Sequence, residues 1–231
     1  DDLEVANTLQ CIGSLEFDLG DDESASQSLA QSLRIFRLKD DNSIGHAKVL
    51  FCLGQLFQKK EKYEKALESY VQSIKMRREL VKSDDVEIAY GFEKVANIYI
   101  RRGMKKEALA FFGKALEIYT EKLGKDDIRY ARALFQRAKL VSEKKEYETA
   151  MKHFNETLVV FKRESGEESD EVADVLVQIG IIHNKRVDFE DAMKCLGTAL
   201  KTKKTLFGKD DARVAATMLE IGIVLEDIGI I

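Results

Sequence analysis

Small and apolar residues recur along this chain at an almost constant interval. A column of glycine and alanine returns after 41 residues once and after 42 residues four times, at Gly13, Gly54, Ala96, Ala138, Gly180 and Gly222. Seven residues earlier, all six copies carry an alanine: Ala6, Ala47, Ala89, Ala131, Ala173 and Ala215. A fixed period of this size is typical of stacked copies of one supersecondary unit.

The positions between these columns predict a first helix in each copy. Large apolar residues stand four residues before the small column and, except at Arg137, also one residue before it. Spacings of one, four and seven residues place side chains on one face of a helix. The small residue in that face would let a second helix approach closely, and the stem of Arg137 can extend past the packing.

A second apolar pattern follows a turn that carries Gly20, Gly103 and Gly229 at one recurring position. It starts at an alanine and continues four, seven and eight residues later, which again is one helix face. These alanines are Ala25, Ala66, Ala108, Ala150 and Ala192. The predicted fold class is therefore all-α: an α-solenoid of stacked antiparallel hairpins, with five hairpins and one extra helix.

The period predicts a single array with the repeats at 2–40, 43–82, 85–123, 127–165 and 169–207, and a half repeat at 211–231. First helices follow Asp84-Asp85, Asp126-Asp127, Glu168-Ser169 and Asp210-Asp211, whose side chains can accept hydrogen bonds from free backbone N–H groups. The last copy stops after one helix with an apolar end, whereas a closing repeat should present a polar face. We therefore expect a fragment of a longer solenoid.

The amino-acid composition is consistent with an all-helical fold and argues against several classes of function. The chain has no proline, which would break helix interiors, and its net charge of −4 gives no reason to expect nucleic acid as a partner. No apolar run is long enough for membrane insertion. The three cysteines are odd in number and have no metal-ligand spacing. This favours a reducing, intracellular compartment, with the cytoplasm as the expected location. No phosphate loop, zinc-helix motif or nucleophile elbow occurs, so we expect no enzyme, metal or cofactor.

The repeat resembles the tetratricopeptide repeat. The segment Glu61-Lys62-Tyr63-Glu64-Lys65-Ala66 is similar to the turn of that family, and related segments lie at 146–150 and 188–192. The usual unit has about 34 residues, and the longer unit here resembles the kinesin-light-chain and nephrocystin-like branch. The paired asparagines of that branch are replaced, for example by Phe51-Cys52 and Glu93-Lys94. Kinesin-type cargo recognition is therefore not implied.

The resemblance implies that first helices line a concave groove, with the residues one, four and eight positions after the alanine pointing inward. The candidate partner-binding residues are Lys48, Phe51, Gln55, Tyr90, Glu93, Asn97, Arg132, Phe135, Lys139, Val177 and Ile181. Aromatic anchors among long polar side chains suit an extended or helical peptide. The alternative is that Phe51 and Phe135 only fill gaps between adjacent first helices.

A basic ridge at the ends of the first helices is the second candidate surface. It consists of Lys59, Lys60, Arg101, Arg102, Lys144, Lys145, Lys185 and Arg186. These cations could steer an acidic peptide into the groove. The alternative, which we favour on sequence alone, is that they complement the negative ends of their helices.

The sequence thus predicts a non-enzymatic protein–protein interaction scaffold or adaptor that binds a peptide or partner segment, an acidic one being a candidate, along the groove. One alternative is a structural segment of a larger complex, packed through its edges and ends. The apolar residues Ile228, Ile230 and Ile231 suggest it, since the last helix could pack on further repeats or another subunit. Another alternative is a regulatory domain of a longer multidomain protein.

Overall fold

The structure, a computed structural model, describes residues 2–81 and 86–229. These residues form eleven α-helices and no strand. The predicted caps Asp84-Asp85 and the apolar residues Ile230 and Ile231 lie outside the described residues.

The chain divides into two compact units, residues 1–122 and 123–231. The first unit holds three hairpins: α1 (Asp2–Asp18) with α2 (Asp22–Leu38), α3 (Ile44–Lys59) with α4 (Tyr63–Leu80), and α5 (Val86–Arg101) with α6 (Lys105–Lys122). The second holds α7 (Ile128–Glu143) with α8 (Tyr147–Ser165), α9 (Asp170–Lys185) with α10 (Phe189–Phe207), and α11 (Ala212–Ile228). The all-α class and the count of five hairpins plus one helix are confirmed, whereas the single array stays a prediction.

The small column marks the close approach of the two helices in a hairpin. A Cβ atom added to Gly13 would lie 2.7 Å from the Leu29 side chain, and one added to Gly54 would lie 2.7 Å from the Tyr70 ring. The corresponding point on Gly180 is 2.8 Å from Leu196. At Gly222, on α11, no described atom lies within 4 Å. The requirement for a small residue therefore comes from the second helix.

Serine hydroxyls join the two helices of the first and second hairpins. Ser32 donates a hydrogen bond to the carbonyl oxygen of Ala6, and Ser73 donates one to that of Ala47, both over 2.6 Å. All four residues are buried. Each hydroxyl thus finds an acceptor where water is excluded, which makes the burial of a polar group tolerable.

The turn after each of the six first helices has the same backbone conformation whether or not it carries glycine. Positive φ angles recur at Gly20, Glu61, Gly103, Lys145, Val187 and Gly229. At Val187, with φ 67°, the turn is closed by its own N–H donating to Asn184 O over 3.0 Å, while the Asp188 N–H donates to His183 O over 2.9 Å. This pair of bonds is the Schellman arrangement that terminates helices. The glycine pattern predicted three of these six turns.

Several of the predicted caps form. Asp127, Ser169 and Asp211 each accept a hydrogen bond from a backbone N–H in the first turn of the following helix. Asp211 also binds the Arg213 guanidinium through two hydrogen bonds of 2.9 and 3.0 Å. These hydrogen bonds from Arg213 lower the pKa of Asp211 to about 2. The first helices thus start where sequence places an acidic or hydroxyl residue.

Candidate functional site

Two aromatic residues of the predicted groove meet in the first unit. The ring centroids of Phe51 on α3 and Tyr90 on α5 lie 5.4 Å apart, and Phe51 also lies 5.2 Å from the buried ring of Tyr70. Phe51 and Tyr90 are themselves half-buried. Phe51 therefore fills the space between two hairpins while part of its ring stays accessible. This geometry is compatible with both interpretations of the residue.

Polar neighbours surround this aromatic pair. The Lys94 ammonium lies 4.6 Å from the centroid of the Tyr90 ring, a distance at which a cation is attracted to the aromatic face. Glu93 accepts a hydrogen bond from the Tyr119 hydroxyl of the same hairpin. Lys48 is exposed and Asn97 is half-buried. The α5 part of the groove thus offers a cation beside an aromatic ring, while Glu93 is bound within the fold.

A cavity of about 380 Å³ lies on the same first helices. Its lining comes from α1, α3, α5 and the turn into α4: Phe17, Gln55, Gln58, Lys59, Glu61, Tyr63, Lys94 and Arg101. It thus joins the predicted groove residue Gln55 to the predicted ridge residues Lys59 and Arg101. The structure brings these two candidate surfaces together in one place.

The cavity is positively charged, since three cationic side chains face one carboxylate, that of Glu61. Lys59 forms an ion pair with Asp22 over 2.6 Å. Arg101 is exposed and forms no ion pair with the described residues. The side-chain Oε1 of Gln58 accepts a hydrogen bond from the Tyr70 hydroxyl over 3.0 Å, which leaves the side-chain NH₂ group as a donor. Cations and amide donors together suit a carboxylate.

In the second unit the predicted groove residues are mostly engaged within the fold. Phe135 packs against the buried rings of Phe154 and Phe161, at centroid distances of 5.8 and 6.2 Å. The Lys139 ammonium lies 5.8 Å from the Phe135 ring, and Arg132 forms an ion pair with Glu171 over 3.2 Å.

The last two groove candidates lie on α9. Val177 packs against the cluster that contains Ala192, Leu196 and Val224, and Ile181 is half-buried. The α7 and α9 face therefore carries fewer unengaged groups than the α3 and α5 face.

All eight ridge residues are exposed, and several pair across neighbouring hairpins. Lys59 binds Asp22, Arg102 binds Glu64 over 3.3 Å, and Arg186 binds Glu148. Each ion pair joins the end of the first helix of one hairpin to the start of the second helix of the preceding hairpin. Lys144 binds Glu146 over 2.5 Å inside its own turn. The ridge pattern in the sequence indicates steering or helix-end complementarity, and these ion pairs between hairpins are not visible in it.

Lys94 and Phe17 line the cavity but are not among the predicted partner-binding residues. Lys94 could have been found from the sequence, because it occupies the position where the kinesin-light-chain and nephrocystin-like branch places an asparagine on the inner face of the first helix. Phe17 lies near the end of α1, 5.3 Å from the Lys59 ammonium, and no repeat position marked it. Its role depends on how α1 and α3 pack.

The described residues hold neither a metal-binding cluster nor a membrane-spanning helix. No group of three or more His, Cys, Asp or Glu side chains there is placed to hold a metal ion. No helix there is long and apolar enough to cross a membrane.

Comparison with known proteins places these observations in a family. The family model for the tetratricopeptide repeat matches residues 4–79 and 85–163, while no curated protein matches the chain.

Solved structures with the same fold include BtubC (BKLC) from P. vanneervenii, with a TM-score of 0.74 at 24% identity over 90% of this chain and 83% of that one. A putative kinesin light chain from Podosopora anserina with nearly identical TPR-like repeats has a TM-score of 0.71 at 11% identity, over 90% and 98%. The apo form of RapI has a TM-score of 0.75 at 16% identity, over 99% and 78%.

At these identities the structural likeness establishes the fold alone. The family match covers more than half of the chain, and its repeats coincide with the helical hairpins described above. The chain belongs to the tetratricopeptide repeat family.

Proposed function

We propose that this chain is a non-enzymatic protein-interaction scaffold whose first unit binds an acidic segment of a partner protein. The binding surface is the face formed by α1, α3 and α5. The observation that carries the proposal is the 380 Å³ cavity lined by Lys59, Lys94 and Arg101, of which Lys94 also lies 4.6 Å from the centroid of the Tyr90 ring.

The two parts of this surface would bind different parts of the partner segment. The accessible edges of Phe51 and Tyr90 offer apolar contact, which is how aromatic side chains contribute most of the energy at protein interfaces. Lys94 and Arg101 would bind an aspartate or glutamate side chain, with the amides of Gln55 and Gln58 as further donors. Because the site is open to solvent, its affinity should fall as salt is added.

Acidity of the partner follows from the charge of the site, although the whole chain has a net charge of −4. A local cluster of cations on a mildly acidic protein attracts acidic segments to that cluster alone. Charged contacts of this kind mainly set orientation and association rate. Apolar contacts with Phe51 and Tyr90 would then slow the dissociation of the bound segment.

The second unit carries a separate candidate surface on α7 and α9. It consists of Arg132, Phe135, Lys139, Val177 and Ile181. Arg132 would have to leave Glu171 to bind a carboxylate of a partner, and Phe135 packs on buried rings of its own hairpin. We therefore place the primary contact on the first unit.

Site-specific photo-crosslinking in cells tests this proposal. Benzoylphenylalanine replaces Asn97 on the first-helix face or, as a control, the exposed Lys201 on α10. We expect a partner band from position 97 that is lost in the Lys94→Glu, Arg101→Glu double variant, and no such band from position 201. The same band from both positions, or a band that survives charge reversal, would contradict the proposal.

A structural role in a larger assembly is the second candidate, and α11 favours it. This helix exposes Met218, Leu219 and Ile228, whose exposed fractions are 51%, 66% and 39%. Large apolar side chains grouped on one exposed helix are typical of an interface. Light scattering tests this candidate, because Met218→Ser with Leu219→Ser should reduce the mass of any assembly. A strictly monomeric wild-type protein would argue against it.

A further inference from the structure

A second groove lies in the first unit, with α2 and α4 as its walls and part of α3 as its floor. It encloses about 660 Å³. Its floor is apolar, formed by Leu33 of α2 and by Leu50, Leu53 and Phe57 of α3. Leu38, at the end of α2, extends the apolar strip and is 73% exposed. Leu50 and Leu53 are themselves buried, whereas Leu33 and Phe57 are partly exposed. The accessible apolar strip of Leu33, Leu38 and Phe57 is a feature that folding of the monomer does not require.

The groove exists because its walls carry small residues. Ser26 and Ala30 line the α2 wall, and Ser69 lines the α4 wall. The repeat position of Ser26, one residue after the alanine that opens each second helix, holds a large apolar residue in the other hairpins: Leu67, Leu109, Met151 and Met193. All four of those side chains are partly buried. Serine at this position puts a short polar side chain on the α2 wall of the groove, where the other hairpins carry a large apolar one.

The rim of the groove is positively charged. Arg34, Arg37 and Lys65 line it, against the single carboxylate of Glu68. Neither Arg34 nor Arg37 forms an ion pair with any residue in the described parts of the chain, and both are exposed. Lys65 lies 5.9 Å from the Phe57 ring centroid. A partner that complements this rim would carry negative charge.

The shape of the groove selects a helix as its occupant. The walls are two α-helices whose backbone groups are already hydrogen-bonded, so an extended peptide would find no strand edge to pair with. A helix satisfies its own backbone and can bury one apolar face without stranding polar groups. The stretch of α2 from Ser26 to Leu38 is about 18 Å long, which matches a partner helix of about twelve residues.

We infer that this groove is a second docking site, which binds an acidic amphipathic helix of a partner protein. Its apolar face would pack on Leu33, Leu38 and Phe57, above the buried Leu50 and Leu53. Its flanking aspartates or glutamates would pair with Arg34 and Arg37. This is the helix-in-groove mode of recognition. The groove shares helix α3 with the proposed binding face but has no lining residue in common with its cavity, so the binding proposed at each can be tested separately.

The test uses a synthetic peptide of about twelve residues as the probe, since that length spans three helical turns. Leucines at positions i, i+3, i+4 and i+7 form its apolar face and glutamates flank them. A matched peptide carries lysines in place of the glutamates. Fluorescence anisotropy with the full chain should detect binding of the glutamate peptide and binding at least about tenfold weaker for the lysine peptide.

Two variants localise the binding. Ser26→Leu places in the groove the side chain that the second and third hairpins carry, and should abolish binding while the unfolding temperature stays unchanged or rises. Arg34→Glu with Arg37→Glu should weaken binding by at least about tenfold. A matched control, Lys194→Glu with Lys201→Glu on α10, and the Lys94→Glu, Arg101→Glu variant of the other face should leave it unchanged.

The inference is overturned by any of three results. These are no binding of the glutamate peptide to the wild-type chain, equal binding of the two peptides, and full binding to both groove variants. If Ser26→Leu lowers the unfolding temperature, the charge-reversal variant, which changes only exposed side chains, decides the question.

Discussion

The Phe51 ring lies between Tyr70 of its own hairpin and Tyr90 of the next, with centroid distances of 5.2 and 5.4 Å. One residue therefore links the core of the second hairpin to the accessible face of the third. Burial in this cluster raises the pKa of the Tyr70 hydroxyl above its usual range. The same contacts that hold two repeats together also shape the surface that we propose binds a partner.

We predict that Phe51→Ala lowers the free energy of unfolding by about 2 kcal/mol, less than for a fully buried phenylalanine because the ring is only half-buried. Phe51→Leu keeps most of the apolar volume and should cost under about 1.5 kcal/mol. The neighbouring groove variant Lys48→Ala, at an exposed position, should stay within about 0.5 kcal/mol of wild type. Urea unfolding measures all three. Equal midpoints for Phe51→Ala and Lys48→Ala would contradict the packing role.

The small column offers a matched pair of substitutions. Gly54→Ala should destabilise the first unit by about 1–3 kcal/mol, because its Cβ would lie 2.7 Å from the buried Tyr70 ring. Gly222→Ala, in the same repeat position of α11, meets no described atom within 4 Å and should stabilise its helix by about 0.5–1 kcal/mol. Thermal unfolding of both variants checks the opposite signs. A loss of stability for Gly222→Ala would show that α11 is covered at this position.

The turns at Val187 and Gly103 provide a second matched pair of substitutions. Val187 adopts φ 67°, a left-handed conformation that is strained for a β-branched residue, and its side chain is 67% exposed. Val187→Gly should therefore raise the free energy of unfolding by about 1 kcal/mol. The reciprocal change Gly103→Val, at φ 73°, should lower it by about 1–2 kcal/mol. Denaturant titration measures both, and a loss of stability in Val187→Gly would be inconsistent with strain at this turn.

Much of the fold could be predicted because the copies repeat. Aligning the six copies on their glycine and alanine column brought the apolar positions of both helices into register. The column is small because the second helix packs closely there, as the contact between Gly54 and Tyr70 shows. The turns at Glu61, Lys145 and Val187 could not be predicted from glycine, since there the backbone hydrogen bonds of the helix end impose the conformation.

The candidate site was predictable only in part. Phe51 and Tyr90 fell on the expected face because helical spacing fixes which side chains share it. The meeting of Lys94 and Arg101 with Phe17 in one cavity depends on the packing of three helices. Ion pairs such as Lys59 with Asp22 join residues 37 positions apart, and no local pattern marks them.

The second unit should lose stability in mild acid through His153. Burial, reinforced by the charge of Arg137, lowers the pKa of this imidazole, and its Nδ1 atom is buried with no hydrogen-bond partner among the described residues. The unfolded chain keeps the ordinary histidine pKa of about 6.5 and so binds the proton more tightly. Stability is therefore fully present above about pH 6.5 and falls as the pH decreases below it.

Replacing His153 by Gln should flatten this pH dependence. Urea midpoints at about pH 7.5 and pH 5.5 bracket the histidine titration and stay above that of the ordinary carboxylates. We expect the difference between the two midpoints to be smaller in His153→Gln than in the wild-type chain. An identical difference would show that His153 does not titrate on unfolding in this range.

The central claim, that the first unit binds an acidic segment at the cavity of Lys59, Lys94 and Arg101, is tested most directly by peptide selection. A random peptide library is displayed and selected on the Arg34→Glu, Arg37→Glu chain, in which the charge of the second groove is reversed. Each enriched peptide is then measured against the variant of this chain that carries Lys94→Glu and Arg101→Glu in addition. We predict enrichment of peptides that combine aspartate or glutamate with an apolar side chain, and an affinity for the variant lower by at least about tenfold. Enriched peptides that are neutral or basic, or that bind the variant equally well, would contradict the claim.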